Sequence, residues 1–150
     1  MALAIVETER RLPYAPGDLC ALVADIRSYP SFIPWLKRLD VLSARQAGDV
    51  LISTARACVG WGAFAETFTT EVRAAPARID VSLISGPFKV LKNNWLFSAT
   101  PDGALISFYV AFEFRNPLLQ AVATFNRDLA ASRIIAAFEG EAERRFGAKS

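Results

Sequence analysis

No histidine occurs among the 150 residues, and that absence bounds the chemistry. A Ser-His-Asp or Cys-His nucleophile is excluded, as is a histidine-ligated zinc or iron. Acid–base work would fall to carboxylates, lysines or tyrosines. Glu66 is the carboxylate that stands out. It alternates with Phe64 and Phe68, so on a strand the three share a face, and an inward face would set a carboxylate among aromatic rings. Such a group either contacts the polar part of a ligand or transfers protons. The simpler expectations are an ion pair with an arginine such as Arg56, or a bulge that turns Glu66 outward. Tyr109 is the other acid–base candidate. Cys20 and Cys58 lie far apart, in no metal-ligand spacing, and read as small buried residues of a reducing compartment rather than a disulfide. No catalytic or metal-binding set is assigned.

A second stretch, SYPSFIPWLKR from Ser28 to Arg38, crowds Tyr29, Phe32 and Trp35 around Pro30 and Pro34 and ends on Lys37 and Arg38. The prolines argue against ordinary helix or strand interior. In a connecting segment, large apolar rings need a reason. Two readings stand side by side. The rings plug the end of the core, or Phe32 and Trp35 form a lid over an apolar ligand, with Lys37 and Arg38 turned to water or lipid phosphate.

Periodicity predicts the elements that carry these residues. Leu3 to Leu12 reads as a strand. Pro16 and Asp18 suit a first helical turn, and Leu19, Leu22, Val23 and Ile26 fall on one face of a short helix ending near Ser28. From Leu39 to Arg115 the period is two. Six strands are expected near Leu39–Arg45, Asp49–Val59, Ala63–Ala74, Arg78–Ser85, Phe88–Thr100 and Ala104–Phe114, separated by the turn sequences AGD, GWG, AAPA, SGP and TPDG. Connections this short favour antiparallel neighbours. Ile106, Phe108, Val110, Phe112 and Phe114 make one aromatic-rich face, and Trp95 and Phe97 share a face on the strand before. Lys89 and Lys92 read as a solvated strand face. Asn116 and Pro117 are a helix N-cap and first position. One helix is expected from Pro117 to about Phe146. Leu118, Val122, Phe125 and Leu129 form its apolar stripe, widened by Ala130, Ile134, Ala137 and Phe138. That stripe reads as core, with Val122, Phe125 and Leu129 available to line a cavity. Arg115 at the helix start calls for a carboxylate partner. The order is α+β: a curved antiparallel sheet whose aromatic face is covered by one long helix. A sheet wrapped on one helix is not filled along its whole length by side chains, so a cavity between them is expected.

Composition agrees with one ordered domain over residues 1–150. Hydrophobic residues make up 53% and charged residues 21%, ample for a core. The net charge is +2 with the basic residues scattered, which is too weak a case for DNA. MALAIVETERR resembles neither a secretory signal nor a transit peptide, and no apolar run approaches the ~20 residues of a membrane span. The expectation is a cytoplasmic protein.

Four stretches in order carry a resemblance: YAPGDLCALVADIRSYPSFIPW, VGWGAFAETFTTEV, RIDVSLISGPFKVLKNNWLF, and FYVAFEFRNPLLQAVATFNRDLAASRIIAAFEGEAERRFG. Through them the chain, from about Leu12 to Gly147, resembles the coenzyme Q-binding START-domain family of the polyketide-cyclase and lipid-transport superfamily, which also takes in RatA-like toxins. The resemblance implies a helix-grip fold, seven antiparallel strands around a long C-terminal helix with an apolar tunnel between. It implies ubiquinone or another polyprenyl lipid as bound ligand rather than redox cofactor, a carrier role supporting respiration, and peripheral contact with the inner membrane. The toxin branch implies binding to the large ribosomal subunit, and a cyclase-like enzyme using Glu66 or Tyr109 is the third alternative. Trp35 after Pro34 matches the quinone branch; Leu36 and Ser85 depart from its pattern. On this reading the ligand-binding residues are Phe32, Trp35, Phe64, Glu66, Phe68, Trp95, Phe97, Phe108, Phe112, Val122, Phe125 and Leu129.

Overall fold

The alternating N-terminal segment forms strand β1 (Ala4–Leu12). A computed structural model describes residues 3–61 and 64–147, with the side chains at 61 and 64 outside the description. Helix α1 (Pro16–Ala24) follows, with Pro in its first turn where no N–H is missed and Asp18 at its positive end. A 3-10 helix (Ile26–Ser31) leads on to β2 (Leu36–Ala47). Strands β3 (Val50–Trp61), β4 (Phe64–Ala75), β5 (Arg78–Ser85), β6 (Phe88–Thr100) and β7 (Gly103–Phe114) then run as an antiparallel meander. β1 returns to pair with β7, giving the order β1-β7-β6-β5-β4-β3-β2. The seven-stranded antiparallel sheet and the C-terminal helical cover are those the sequence predicts.

Three elements differ from expectation. The short helix expected to run to about Ser28 stops at Ala24; Asp25 leaves helical geometry at φ −82°, ψ 67°, and Ile26 belongs to the separate 3-10 helix. β2 begins at Leu36 rather than near Leu39 and carries two register shifts. It is an edge strand, exposed over its second half, so neither face imposes alternation on its sequence. The single long helix is two helices, α2 (Pro117–Phe125) and α3 (Arg127–Phe146). Asn126 between them leaves helical geometry at φ −102°, ψ 12°. Its side-chain Nδ2 donates to the Val122 carbonyl at 2.9 Å, and Arg127 Nη1 donates to the Thr124 carbonyl at 2.9 Å. Side chains thus take carbonyls of the last α2 turn, as local polar groups do at helix ends.

The antiparallel register sets the two ends of the sheet. The β3–β4 and β5–β6 turns, the start of β2 and the end of β7 share one end; the β2–β3, β4–β5 and β6–β7 turns share the other. α3 crosses the concave face between them and is tied at its middle by Arg10–Glu139 (2.9 Å). At the β6–β7 turn end the interior is solid. Leu19, Leu22 and Val23 of α1, Ile79, Trp95, Phe97, Ile106 and Phe108 of the sheet, and Ile135 and Phe138 of α3 are all buried together. Each large side chain there contributes about 1.5–3 kcal/mol. Trp95 packs edge-on against Phe108 (4.8 Å) and Phe138 (5.0 Å). The void lined by Leu19, Leu22, Val23, Trp95, Ile106, Ile135 and Phe138 is about 10 Å³.

Candidate functional site: an apolar cavity under the helix break

The other half of the concave face is hollow. Between β6–β7 and the α2–α3 junction lies a cavity of about 560 Å³, within the range of ~300–1,000 Å³ typical of small-molecule sites. Phe88, Leu91, Phe112 and Phe114 form its sheet wall. Leu119, Val122 and Ala123 of α2, Asn126, and Leu129, Ala130 and Arg133 of α3 form the other. Asn126 and Arg133 are exposed at its mouth. Among the described lining residues there is no carboxylate, thiol or hydroxyl.

Local sequence features build this wall. A register shift between Phe88 and Val90 breaks the alternation of β6 and turns Phe88 to the same face as Leu91. Phe88 then stacks on its cross-strand partner Phe114 at 4.4 Å and receives the edge of Phe68 at 5.4 Å. The roof is anchored by polar bonds. Asn116 caps α2, its Oδ1 accepting from the N–H groups of Leu118 (2.9 Å) and Leu119 (3.3 Å). Gln120 is buried. Its Oε1 accepts from the Phe114 N–H at 2.8 Å and its Nε2 donates to the Phe112 carbonyl at 3.4 Å, fastening α2 to the end of β7.

Of the residues singled out from the sequence, Phe112, Val122 and Leu129 line the cavity. Phe68 supports it from behind Phe88. Phe64 has its side chain outside the described residues. Trp95, Phe97 and Phe108 do not reach the cavity; they belong to the solid end of the core, where facing side chains leave no room. Phe125 does not reach it either: it stands exposed at the end of α2. Glu66 is half-buried on the concave face opposite Val59, outside the cavity lining. The expected ion pair with Arg56 is absent among the described residues, because the register puts Arg56 opposite Thr69 on the other face of the sheet. Tyr109 likewise lies on the convex face, in register with Glu7 and Asn94. Arg115 makes no ion pair among the described residues; its N–H donates to the Pro87 carbonyl at 2.8 Å.

The Ser28–Arg38 segment is a plug, not a lid. Tyr29, Phe32 and Phe138 meet edge to face at 5.2–6.0 Å. The Tyr29 hydroxyl donates to the Val23 carbonyl; burial, then the nearby Asp25 charge, pushes the phenol well above its ordinary range. Trp35 is half-buried against the core, its carbonyl accepting from the Gly60 N–H at 2.8 Å. Neither Phe32 nor Trp35 lines the cavity. Lys37 and Arg38 are engaged locally, with the Pro34 carbonyl (2.9 Å) and Asp40 (2.8 Å). Both cysteines are free, and burial pushes the Cys20 thiol up.

Sequence reasoning missed Phe88, Leu91, Phe114, Leu119, Ala123 and Ala130 as wall residues, and Gln120 as the roof anchor. One signal for Gln120 was available: it is the lone long polar side chain in PLLQAVATF.

Comparison with known proteins bears on this arrangement. Residues 12–139 match the family described as polyketide cyclase / dehydrase and lipid transport. The ribosome association toxin RatA of Pseudomonas aeruginosa is 30% identical, over 95% of this chain and 97% of that one. The mitochondrial coenzyme Q-binding protein COQ10 of Drosophila melanogaster is 31% identical over 91% of this chain, which spans 57% of COQ10. The solution structure of the 18 kDa protein CC1736 from Caulobacter crescentus superposes with a TM-score of 0.79 at 39% identity, covering 99% of this chain and 100% of that one.

Proposed function

The chain belongs to the polyketide cyclase / dehydrase and lipid transport family, and on that premise we propose that it carries a polyprenyl quinone, ubiquinone or a close analogue, without covalent chemistry. The supporting observation is the cavity of about 560 Å³, walled by Phe88, Leu91, Phe112 and Phe114 and lacking acid–base groups among its described lining residues. Arg133 at the mouth donates hydrogen bonds and cannot accept them, which suits a quinone carbonyl. The isoprenoid chain lies against the aromatic wall, each buried methylene contributing about 0.8 kcal/mol. Tail that exceeds the cavity emerges over Val122 and Leu129. The similarity to a coenzyme Q-binding protein supports the same ligand class.

The test is lipid extraction and native mass spectrometry of the purified protein, with added quinones of short and long tails. The expected result is stoichiometric quinone in the parent. An Ala130→Trp variant, which pushes an indole into the cavity, should lose it by about tenfold or more while keeping its thermal midpoint. Parent protein that stays free of every added quinone overturns the reading.

A second reading rests on the near full-length similarity to a ribosome association toxin: binding to the large ribosomal subunit and antagonism of subunit joining. It predicts growth arrest on overexpression and co-sedimentation with large subunits. Unchanged subunit profiles exclude it.

A further inference from the structure

The fully buried side chain of α2 is polar, while several of its large apolar side chains stand in the open. Gln120 is 2% exposed, whereas Leu118 is 75% and Phe125 88% exposed, and Val122 and Leu129 are more than half exposed. Steps of four and three residues place Leu118, Val122 and Phe125 in one stripe of α2, and beyond the break at Asn126 the exposed Leu129 of α3 shares the cavity wall with Val122. An apolar stripe this open on a folded chain marks a contact surface. The charge around it is net positive. Residues 115–133 hold Arg115, Arg127 and Arg133 against Asp128 alone, a net +2 that equals the net charge of the whole chain. The stripe is also continuous with the cavity, since Val122 and Leu129 belong to both.

We infer that the Leu118–Leu129 stripe docks on an anionic lipid bilayer and sets the cavity mouth against the acyl chains. An apolar helix face flanked by arginines is the form of an interfacial anchor, its rings and aliphatic groups entering below the headgroups and its cations meeting lipid phosphates. A second copy of this chain fits less well. α2 has nine residues, about 14 Å of helix some 10 Å wide, far short of the ~800 Å² that each partner contributes to a stable dimer. A bilayer sets no such requirement. The purpose of docking rests on the carrier reading; the contact is measured independently of it.

The test is flotation with sealed vesicles of phosphatidylcholine, with and without about 30 mol% phosphatidylglycerol. The parent should float with the anionic vesicles and release as salt is raised. Phe125→Glu and Leu118→Glu should each cut the bound fraction about tenfold. Both side chains are exposed, so thermal midpoints should not move. The inference is overturned if the parent stays at the bottom of the gradient, or if Phe125→Glu floats like the parent. A dimer on gel filtration that Phe125→Glu splits, with neither protein floating, overturns it in favour of self-association. Quinone extraction run in parallel separates the two readings, because Phe125 does not line the cavity. A parent that takes up quinone but does not float removes the docking surface alone. A parent that floats but takes up no quinone leaves the docking surface supported and removes the carrier reading.

Discussion

Gly86 holds φ at +148°, and a Cβ built there would stand 2.5 Å from the Cβ of Phe68. Since Phe68 supports Phe88, the missing side chain at position 86 lets the cavity wall stand where it does. Gly86→Ala must move Phe68 and also strain the backbone, at a combined cost of about 2–3 kcal/mol. Urea unfolding checks this; a variant within half a kcal/mol, roughly the noise of such comparisons, would sink the close approach. Phe88 also marks a limit of sequence reading at this scale. Strict alternation from Trp95 back through Leu91 would put it on the convex face, and the bulge that reverses it leaves no trace in residue type. Glu66 shows the complement. Its place on the concave face follows from alternation with Phe68, but its distance from the cavity and the absence of the Arg56 pair depend on strand register, which a single strand does not encode.

Helix periodicity identifies an apolar face without saying what covers it. In α2 and the first turn of α3, Leu118, Val122, Phe125 and Leu129 have the spacing of a core stripe, yet the buried positions are Gln120 and then Ala131, Ile135, Phe138 and Ala142. The strands were legible because buried faces enforced their alternation. Asn126 was readable as a polar interruption but not as a break, since Asn also sits on exposed helix faces. The far end of α3 depends on charge. Glu141, 5% exposed, takes bonds from Arg144 (2.5 and 2.9 Å) and Arg145 (2.7 Å), and Arg145 reaches on to Ser28 at 3.1 Å. The Arg144 bond above all, with help from Arg145 and against the cost of burial, holds the Glu141 carboxyl down at about 2, from 4.5. A depressed carboxylate stabilises the fold above its unfolded value and loses that contribution as acid titrates it. Between pH 5 and pH 2 the parent should therefore lose on the order of 2–3 kcal/mol through this group. Glu141→Gln should be weaker at neutral pH and flatter in acid. Parallel acid profiles for the two proteins would refute the assignment.

Across the molecule, the sheet is packed solid at the β6–β7 turn end and hollow at the other. Truncation should cost different amounts at the two ends. Ile135→Ala opens a new hole among Trp95, Phe138 and α1 and should cost about 3–5 kcal/mol; Leu91→Ala merely enlarges an existing space and should cost about 1–2 kcal/mol. Equal losses in urea would show that the hollow is closed in solution. The layout of seven strands and a helical roof could be predicted because it follows from counting alternating segments. The allocation of aromatics between filler and wall could not, since Trp95 and Phe112 sit on the same face of neighbouring strands and differ only in what α2 and α3 bring opposite them. This division of labour leaves one pole to secure the architecture and frees the other to drift. Substitutions around the void can retune which guest is welcome, generation after generation, without putting the scaffold at risk.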